Sequence, residues 1–521
     1  MRRLAATPWL IALPLAIAWL VVNPPSADLA GAIYRARLFD QAGFTIWDNQ
    51  WYGGFYTLSY SVLFPPLGAW LGPRLLGASA AVAAAWLFAR LAEAHFGRGG
   101  LLGAWWFSAA TVTMLMSGRL VFALGVAIGL AALLIARSDR SIAAFITAGA
   151  CSLASPVAGA FAALAGAAWL LTGGHRRAVA LLLGATLPLA AFAVAFPQGG
   201  MEPFGLGSLC LLLLLSMVAL VVIRLRDRSL AVGVVLYAVA ATVLYFVPTP
   251  IGANVIRLGT LFGGPLLACM IGSSRAAMGW RRWLALTAVA VPFGWWQWAR
   301  PILDVAHSWN DPTANASYFT PLLRFLGRHA EPPGRIEVVP LVHPWQATYV
   351  APHYPLARGW EKQLDTKYAS LDYGGRLTAS SYRGWLDRLA VRYVALPNYA
   401  VGSEFAPERR WIERGLPYLR PVFHSAHWRV FAVRHPHPLA QGAARVEALG
   451  LDYFVLRARR PGETLVRVRY SPYWALASDR GCVEPSGGGW TRVLLRRAGE
   501  ARVVISFSLA RMIDGGAGCT D

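Results

Sequence analysis

The sequence predicts an α-helical polytopic membrane protein that crosses the bilayer about eleven times and ends in an extracytoplasmic α/β plus β-sandwich region. Three observations predict it. Apolar residues make up 56% of the chain against 14% charged, and before residue 300 they fall in long runs, as a bilayer requires. After Arg300 those runs stop, and charge and proline rise. Between the runs, arginines collect on alternate sides, which gives the chain an orientation.

The chain opens Met1-Arg2-Arg3 ahead of an apolar run at 10–22 with no small-residue cleavage site, so this run is expected to remain as the first span. Residues 23–67 are expected to form the first outer loop. Ile33, Leu38 and Phe39 can share one helical face, with Arg35 and Arg37 reaching lipid phosphates, so a surface-lying amphipathic helix is expected after Asp28. An aromatic stretch follows. Trp47, Trp51, Tyr52, Phe55, Tyr56 and Tyr60 crowd around Gly53-Gly54, and Pro65-Pro66 closes it. Such rings suit the membrane–water boundary.

Ten more apolar runs lie at 75–92, 101–117, 120–136, 141–154, 156–172, 178–196, 206–223, 229–247, 257–272 and 282–299. Many are rich in Gly and Ala, which lets helices pack closely in lipid. Counted this way, one side carries Arg2, Arg3, Arg90, Arg98, Arg137, Arg140, Arg176, Arg177, Arg224, Arg226, Arg228, Arg275, Arg281 and Arg282. The other carries only Arg35, Arg37, Arg74, Arg119, Arg257 and Arg300. Positive residues favour the cytoplasm, so the N-terminus is expected inside. An odd number of spans then places everything after residue 300 outside.

The expected organisation is a membrane domain at 1–300, an α/β domain at 301–436 and a β-rich domain at 437–521. The α/β reading rests on helical stretches at 320–328 and 381–390 and strand-like stretches at 335–341, 392–397 and 428–434. The last domain shows strand patterns at 454–459, 464–471, 492–497 and 502–509 between Pro-Gly and Gly-Gly-Gly turns, as a small sandwich does.

Net charge is +22, and Lys362 and Lys367 are the only lysines. That arginine skew reads as genome composition. No basic patch with stacking aromatics falls in a soluble segment, so nucleic acid is not an expected partner. Cys151, Cys210 and Cys269 lie in apolar runs and are expected as small core residues. Cys482 and Cys519 fall where disulfides are permitted, and pairing or not is left open. No C-x-x-C or H-E-x-x-H spacing points to a metal, and no nucleophile triad is evident. His435 and His437 read as a loop, and Glu361 with Asp365 as a solvated helix face.

The candidate chemistry starts at Asp28, where the first span meets the outer loop. It either caps the following helix or acts as a general base facing outward. Arg257 opens an apolar run. It either snorkels to the interface or pairs with a lipid phosphate, which a planar guanidinium suits. Arg119 also falls at the outer end of a span. Asp40 and Asp48 are candidate second carboxylates, and the need for a divalent metal is left open.

The order Asp28, short helix, Gly43, Trp47, Trp51, Gly53, Gly54, Pro65, Pro66, Leu67 resembles the multi-spanning GT-C glycosyltransferases, and among them the actinobacterial membrane proteins. Asn254 with Arg257, the run Gly118 to Gly125, and the tail segments RGWEKQLD, YRGWLDRLAVRYVALP and RYSPYW are similar to the same proteins. The resemblance implies a GT-C-like membrane domain and transfer of a sugar from a polyprenyl-phosphate donor to a cell-envelope acceptor outside the plasma membrane. It implies Asp28 as the base, with Arg257, Asn254, Arg119, Asp48, Trp47, Trp51 and Tyr52 as substrate contacts. Two other readings stand beside it: a transporter or flippase, and a scaffold that displays the C-terminal region. No acidic residue falls in mid-span and no two-half symmetry is evident, which places the transporter lower.

Overall fold

The computed structural model describes residues 7–223, 227–273, 280–329, 331–371, 377–478, 480–516 and 519. The chain forms two compact units. The first holds Met1–Gly43, Ser59–Val194 and Gly199–Asp311. The second holds Phe44–Leu58, Ala195–Gln198 and Pro312–Asp521. The aromatic stretch expected in the membrane domain therefore belongs to the second unit.

The first unit is helical. Its helices are α1 (Ala12–Val22), α2 (Ala27–Ala42), α3 (Phe64–Leu71), α4 (Pro73–Phe96), α5 (Leu101–Ala110), α6 (Val112–Met116), α7 (Leu120–Arg137) and α8 (Ser141–Ala154). They continue with α9 (Pro156–Leu171), α10 (His175–Ala195), α11 (Leu206–Ile223), α12 (Arg228–Phe246), α13 (Ile256–Leu258), α14 (Gly264–Ser273) and α15 (Trp280–Ser308). Each of the eleven apolar runs falls largely on one of these helices or on a consecutive pair, the run at 257–272 passing through a turn at Gly259–Gly263.

Local chemistry sets the breaks. Ser155 is extended and accepts from the Ala158 N–H at 3.4 Å, and Pro156 stands at the first helical position, so one long apolar stretch becomes α8 and α9. Asp227 caps α12 by accepting from the Leu230 N–H at 3.0 Å and pairs with His95 of α4. The hydrogen bond from His95 holds the Asp227 carboxyl below the usual carboxylate range. Alanines make close packing possible. Ala84 and Ala85 of α4 and Ala123 and Ala132 of α7 are fully buried, and α7 packs along both α4 and α8.

Six described segments are long and apolar enough to cross a membrane: Pro73–Met116, Leu120–Arg137, His175–Ala195, Leu206–Ile223, Arg228–Phe246 and Gly252–Ser273. The first holds two of the runs, reversed at the turn Gly97–Gly100. Pro8–Val22, α8 and α9 are apolar but only 10–17 residues long, and α15 carries Pro292 and Pro301. Length and composition alone thus support fewer crossings than eleven. Val235, Val239 and Val243 form an exposed stripe along α12, a surface that hydrocarbon covers and water does not tolerate in quantity. Cys151 and Cys269 are buried as expected, whereas Cys210 faces outward from α11.

The second unit is mixed. Its helices are α16 (Ala316–Arg328), α17 (Gln346–Tyr349), α18 (Lys362–Tyr368), α19 (Ala379–Arg388), α20 (Ala406–Arg414) and α21 (Leu509–Asp514). The first strands, β1 (Trp47–Asp48) and β2 (Phe55–Tyr56), form a small hairpin. Strands β3 (Arg335–Val338), β4 (Val391–Pro397), β5 (Leu419–His424) and β6 (Trp428–Val433) make one sheet in the order β3-β4-β6-β5, with β3 and β4 parallel. The remaining strands are β7 (Ala440–Gly442), β8 (Ala444–Leu449), β9 (Tyr453–Ala458), β10 (Gly462–Arg469), β11 (Trp474–Leu476), β12 (Gly481–Ser486), β13 (Trp490–Leu495) and β14 (Gly499–Ile505). They form two antiparallel sheets, β12-β13-β10-β7 and β11-β14-β9-β8. A loop is also expected from the sequence at 357–374, and its residues 372–374 lie outside the described residues.

Candidate functional site

In the first unit, Asp28 sits in the first turn of α2, and Ser26, in extended conformation, holds the N-cap position. The capping reading of Asp28 is therefore replaced by a side chain that faces two guanidiniums. Arg119 Nε lies 3.4 Å and Arg257 Nη2 4.0 Å from Asp28 Oδ2. At first contact a single carboxylate faces two guanidiniums, whose remaining N–H donors suit an anionic ligand.

Three separate segments deliver these groups. Arg119 is the N-cap residue of α7, just after a tight turn. Gly118 turns there with φ +72°, and a Cβ on it stands 2.4 Å from Ser26 Oγ and 2.5 Å from the Leu29 N. Only glycine lets the turn approach the start of α2 so closely. Arg257 lies on α13, between the 3₁₀ turn Gly252–Val255 and the π-helical turn Gly259–Gly263. Such turns recur where a helix must redirect a functional side chain. Asn254 is one 3₁₀ turn ahead, and its N–H donates to the Ile251 carbonyl at 2.8 Å. Tyr237 of α12 holds the segment from behind. Its hydroxyl donates to the Val255 carbonyl at 3.1 Å and accepts from the Gly259 N–H at 3.2 Å. The Arg257 guanidinium also lies over the Phe122 ring, 5.5 Å from its centre.

Arg35 does not reach lipid phosphate. It is buried, donates to the Gly31 carbonyl at 3.1 Å and stacks on Tyr60 at 3.9 Å. Arg37 stays exposed. Asp40 is exposed twelve residues along α2 from Asp28, roughly 18 Å at the helical rise, so the two carboxylates do not pair. Among the described residues no three His, Cys, Asp or Glu side chains gather as a metal site.

An apolar cavity of about 320 Å³ opens among the helices of the same unit. Leu258 and Gly259, which directly follow Arg257, are among its lining residues. Its walls include Leu130, Phe161 and Trp296.

The other expected contacts fall in the second unit. Trp47, Trp51 and Tyr52 are buried, and their rings are already covered. Trp51 stacks on Phe55 at 5.0 Å, and Trp47 meets Trp474 edge-on at 5.7 Å. A sugar-stacking platform needs an open ring face, so in this structure the three rings serve as core. Asp48 is buried too, its Oδ1 accepting from the Gln50 N–H at 2.8 Å. The tail segments that share the resemblance hold this hairpin. Tyr52 donates to the Glu361 carbonyl at 2.9 Å, Arg469 donates from its N–H to the Gly53 carbonyl at 2.7 Å, and Tyr56 bonds Ser471 at 3.1 Å. Burial pushes the Tyr56 phenol up to about 12. Glu361 and Asp365, expected on a solvated face, are buried.

Sequence reading placed Tyr60 in the aromatic stretch without a partner for it, and missed Tyr237 and Glu202. The Glu202 N–H takes the Thr249 carbonyl at 3.0 Å beside the Asn254 turn, and Glu202 lies within electrostatic reach of Arg257. A tyrosine in mid-span was the available signal for Tyr237, since buried hydroxyls need partners.

No protein-family model and no curated protein matches the chain. Among solved structures it is similar to the crystal structure of ArnT from Cupriavidus metallidurans in the apo state, at 14% identity and a TM-score of 0.45, over 82% of this chain and 98% of that one. At that TM-score the likeness bears on neither fold nor activity.

Proposed function

We propose that the protein is a membrane glycosyltransferase of GT-C type, in the plasma membrane, that moves a sugar from a polyprenyl-phosphate carrier to an extracytoplasmic glycan, lipid or protein. The observation that carries the reading is the Asp28 carboxylate held against Arg119 and Arg257. The motif resemblance around Asp28 and the apolar cavity beside Arg257 support it.

In this reading the carboxylate takes the proton from the acceptor hydroxyl. The freed oxygen bonds to the anomeric carbon as the carbon–oxygen bond to phosphate breaks. The leaving polyprenyl phosphate carries the new charge, and Arg257 with Arg119 stabilises it. The apolar cavity takes part of the polyprenyl chain. The N-terminus is cytoplasmic and the second unit lies outside.

The broken helix around Arg257 is also what a transporter uses, so the test must separate transfer from transport. Asp28→Asn keeps size and polarity but accepts no proton. Membranes carrying it are expected to transfer sugar from a labelled polyprenyl-phosphate donor roughly 10²–10⁴-fold more slowly than wild type. Undiminished transfer removes Asp28 as base. Wild-type movement of the intact lipid-linked sugar across the bilayer, without transfer, favours the transporter.

A further inference from the structure

The last helix of the second unit is built inside out. In α21, Leu509 and Ile513 stand four residues apart on one face and are 65% and 78% exposed. Phe507, just ahead, is 49% exposed. The cationic residue of the helix instead points inward, where Arg511 Nη1 donates to the Trp474 carbonyl at 2.8 Å.

This exposure is not that of a loose tail. Ser508 caps the helix, accepting from the Arg511 N–H at 3.1 Å, and Gly515 closes it in the left-handed region at φ +71°. Tyr470 donates to the Gly515 carbonyl at 2.8 Å, and the Cys482–Cys519 disulfide ties down the chain beyond. Such fixing holds three large apolar side chains in solvent unless something apolar covers them.

The neighbours say what covers them. Phe507 packs on Tyr473 and on Phe196, with ring centres 5.1 and 6.0 Å apart. The Tyr473 hydroxyl donates to the carbonyl of Ala195 at 2.7 Å. Ala195 is the final residue of α10, one of the segments long and apolar enough to span a membrane. Ala195 and Phe196 belong to the second unit, so the segment on which the patch packs is the chain that directly follows this apolar stretch in sequence.

We propose that Phe507, Leu509 and Ile513 form a membrane-docking surface, inserted among the headgroups and upper acyl chains of the leaflet at the end of α10. The partner is the lipid bilayer itself. A short apolar wedge with its arginine turned inward suits the interfacial layer, where apolar side chains go a few ångströms deep.

The test places a photoreactive benzoylphenylalanine at position 513, and in a second protein at exposed Arg460, in the full chain in nanodiscs of alkyne-tagged phosphatidylcholine and phosphatidylglycerol. Fold integrity is read by protection of Cys482 and Cys519 from alkylation without reductant. Expected is a lipid adduct at 513 at least fivefold above that at 460, lowered severalfold when Leu509→Glu is added. Equal adduct at both positions overturns the proposal. So does a crosslink at 513 to a second copy of the chain instead of lipid.

Discussion

Two buried arginines of the second unit show how one residue type serves opposite ends. Arg358 is enclosed by acids. It pairs with Glu337 and with Glu408 at 2.8 Å and lies over the Trp385 ring at 4.4 Å, while Tyr382 donates to Glu408 at 2.7 Å. Both glutamates are fully buried, so removing Arg358 leaves two charges without their cation. Arg335 is equally buried but donates only from Nη1, to the Leu389 carbonyl at 2.8 Å near the end of α19. Among the described residues its Nε and Nη2 meet no acceptor, and burial pushes its guanidinium down to about 9. The same substitution is thus expected to act differently. Arg358→Met costs about 3–5 kcal/mol, because a buried pair is broken on one side. Arg335→Met stays within about 1 kcal/mol of wild type, because a desolvated charge is removed with one hydrogen bond. Thermal unfolding of the full-length variants in detergent checks both. Equal losses contradict the distinction. In the first unit, Arg257→Lys keeps charge but loses the planar fork, and is expected to weaken donor binding while leaving thermal stability near wild type.

At the level of elements, the hairpin β1–β2 depends on close contact. A Cβ on Gly54, where φ is +127°, meets the Trp47 ring at 2.3 Å. Gly54→Ala is expected to destabilise the protein by roughly 1–3 kcal/mol, read as a lower unfolding midpoint; an unchanged midpoint means the hairpin repacks freely. The disulfide closes a 37-residue separation. In the chain-entropy account it is worth about 3–4 kcal/mol, so reductant is expected to lower the unfolding midpoint, and denaturing alkylation without reductant to leave Cys482 and Cys519 unlabelled. Labelling of both ends that idea. The sequence disclosed elements where one rule dominated. Apolar runs became helices because hydrocarbon length and helical rise are linked. Strands β9, β10, β13 and β14 showed alternation, and β4 showed as a short strand-like stretch. Strands β7 and β11 are three residues long, too short for a period to register. The amphipathic expectation for α2 went wrong at Arg35 because a guanidinium finds a buried aromatic face as readily as lipid phosphate.

On the scale of the molecule, composition located the change near residue 300, and contacts place it at Asp311 to Pro312. What composition did not disclose is which distant segments meet. Asp28, Arg119 and Arg257 are each unremarkable charges at the ends of apolar runs, and only the helical packing of the first unit joins them. The trio was visible as candidates and not as a cluster, since nothing local links residues 91 and 229 positions apart. The proposed orientation rests on the arginine distribution alone. A reporter fused after residue 310 is expected to be active only outside the cytoplasm, and one fused after residue 226 only inside. Cytoplasmic activity at 310 removes the outward-facing site.

The hairpin belonging to the second unit also sets an order of events during synthesis. Residues 44–58 leave the ribosome early, yet Trp474, which meets Trp47, is made more than four hundred residues later. At typical elongation rates of ~5–20 residues per second that is on the order of 20–80 s. Through that interval a knot of tryptophans and tyrosines waits without its partners, while the intervening helices are threaded into lipid. Completion of the second unit is thus a delayed closure, with the earliest aromatic segment as the piece that the last strands must find. A fragment that starts at residue 312 lacks that piece however well it is made, and a nascent chain halted before residue 474 still carries it bare.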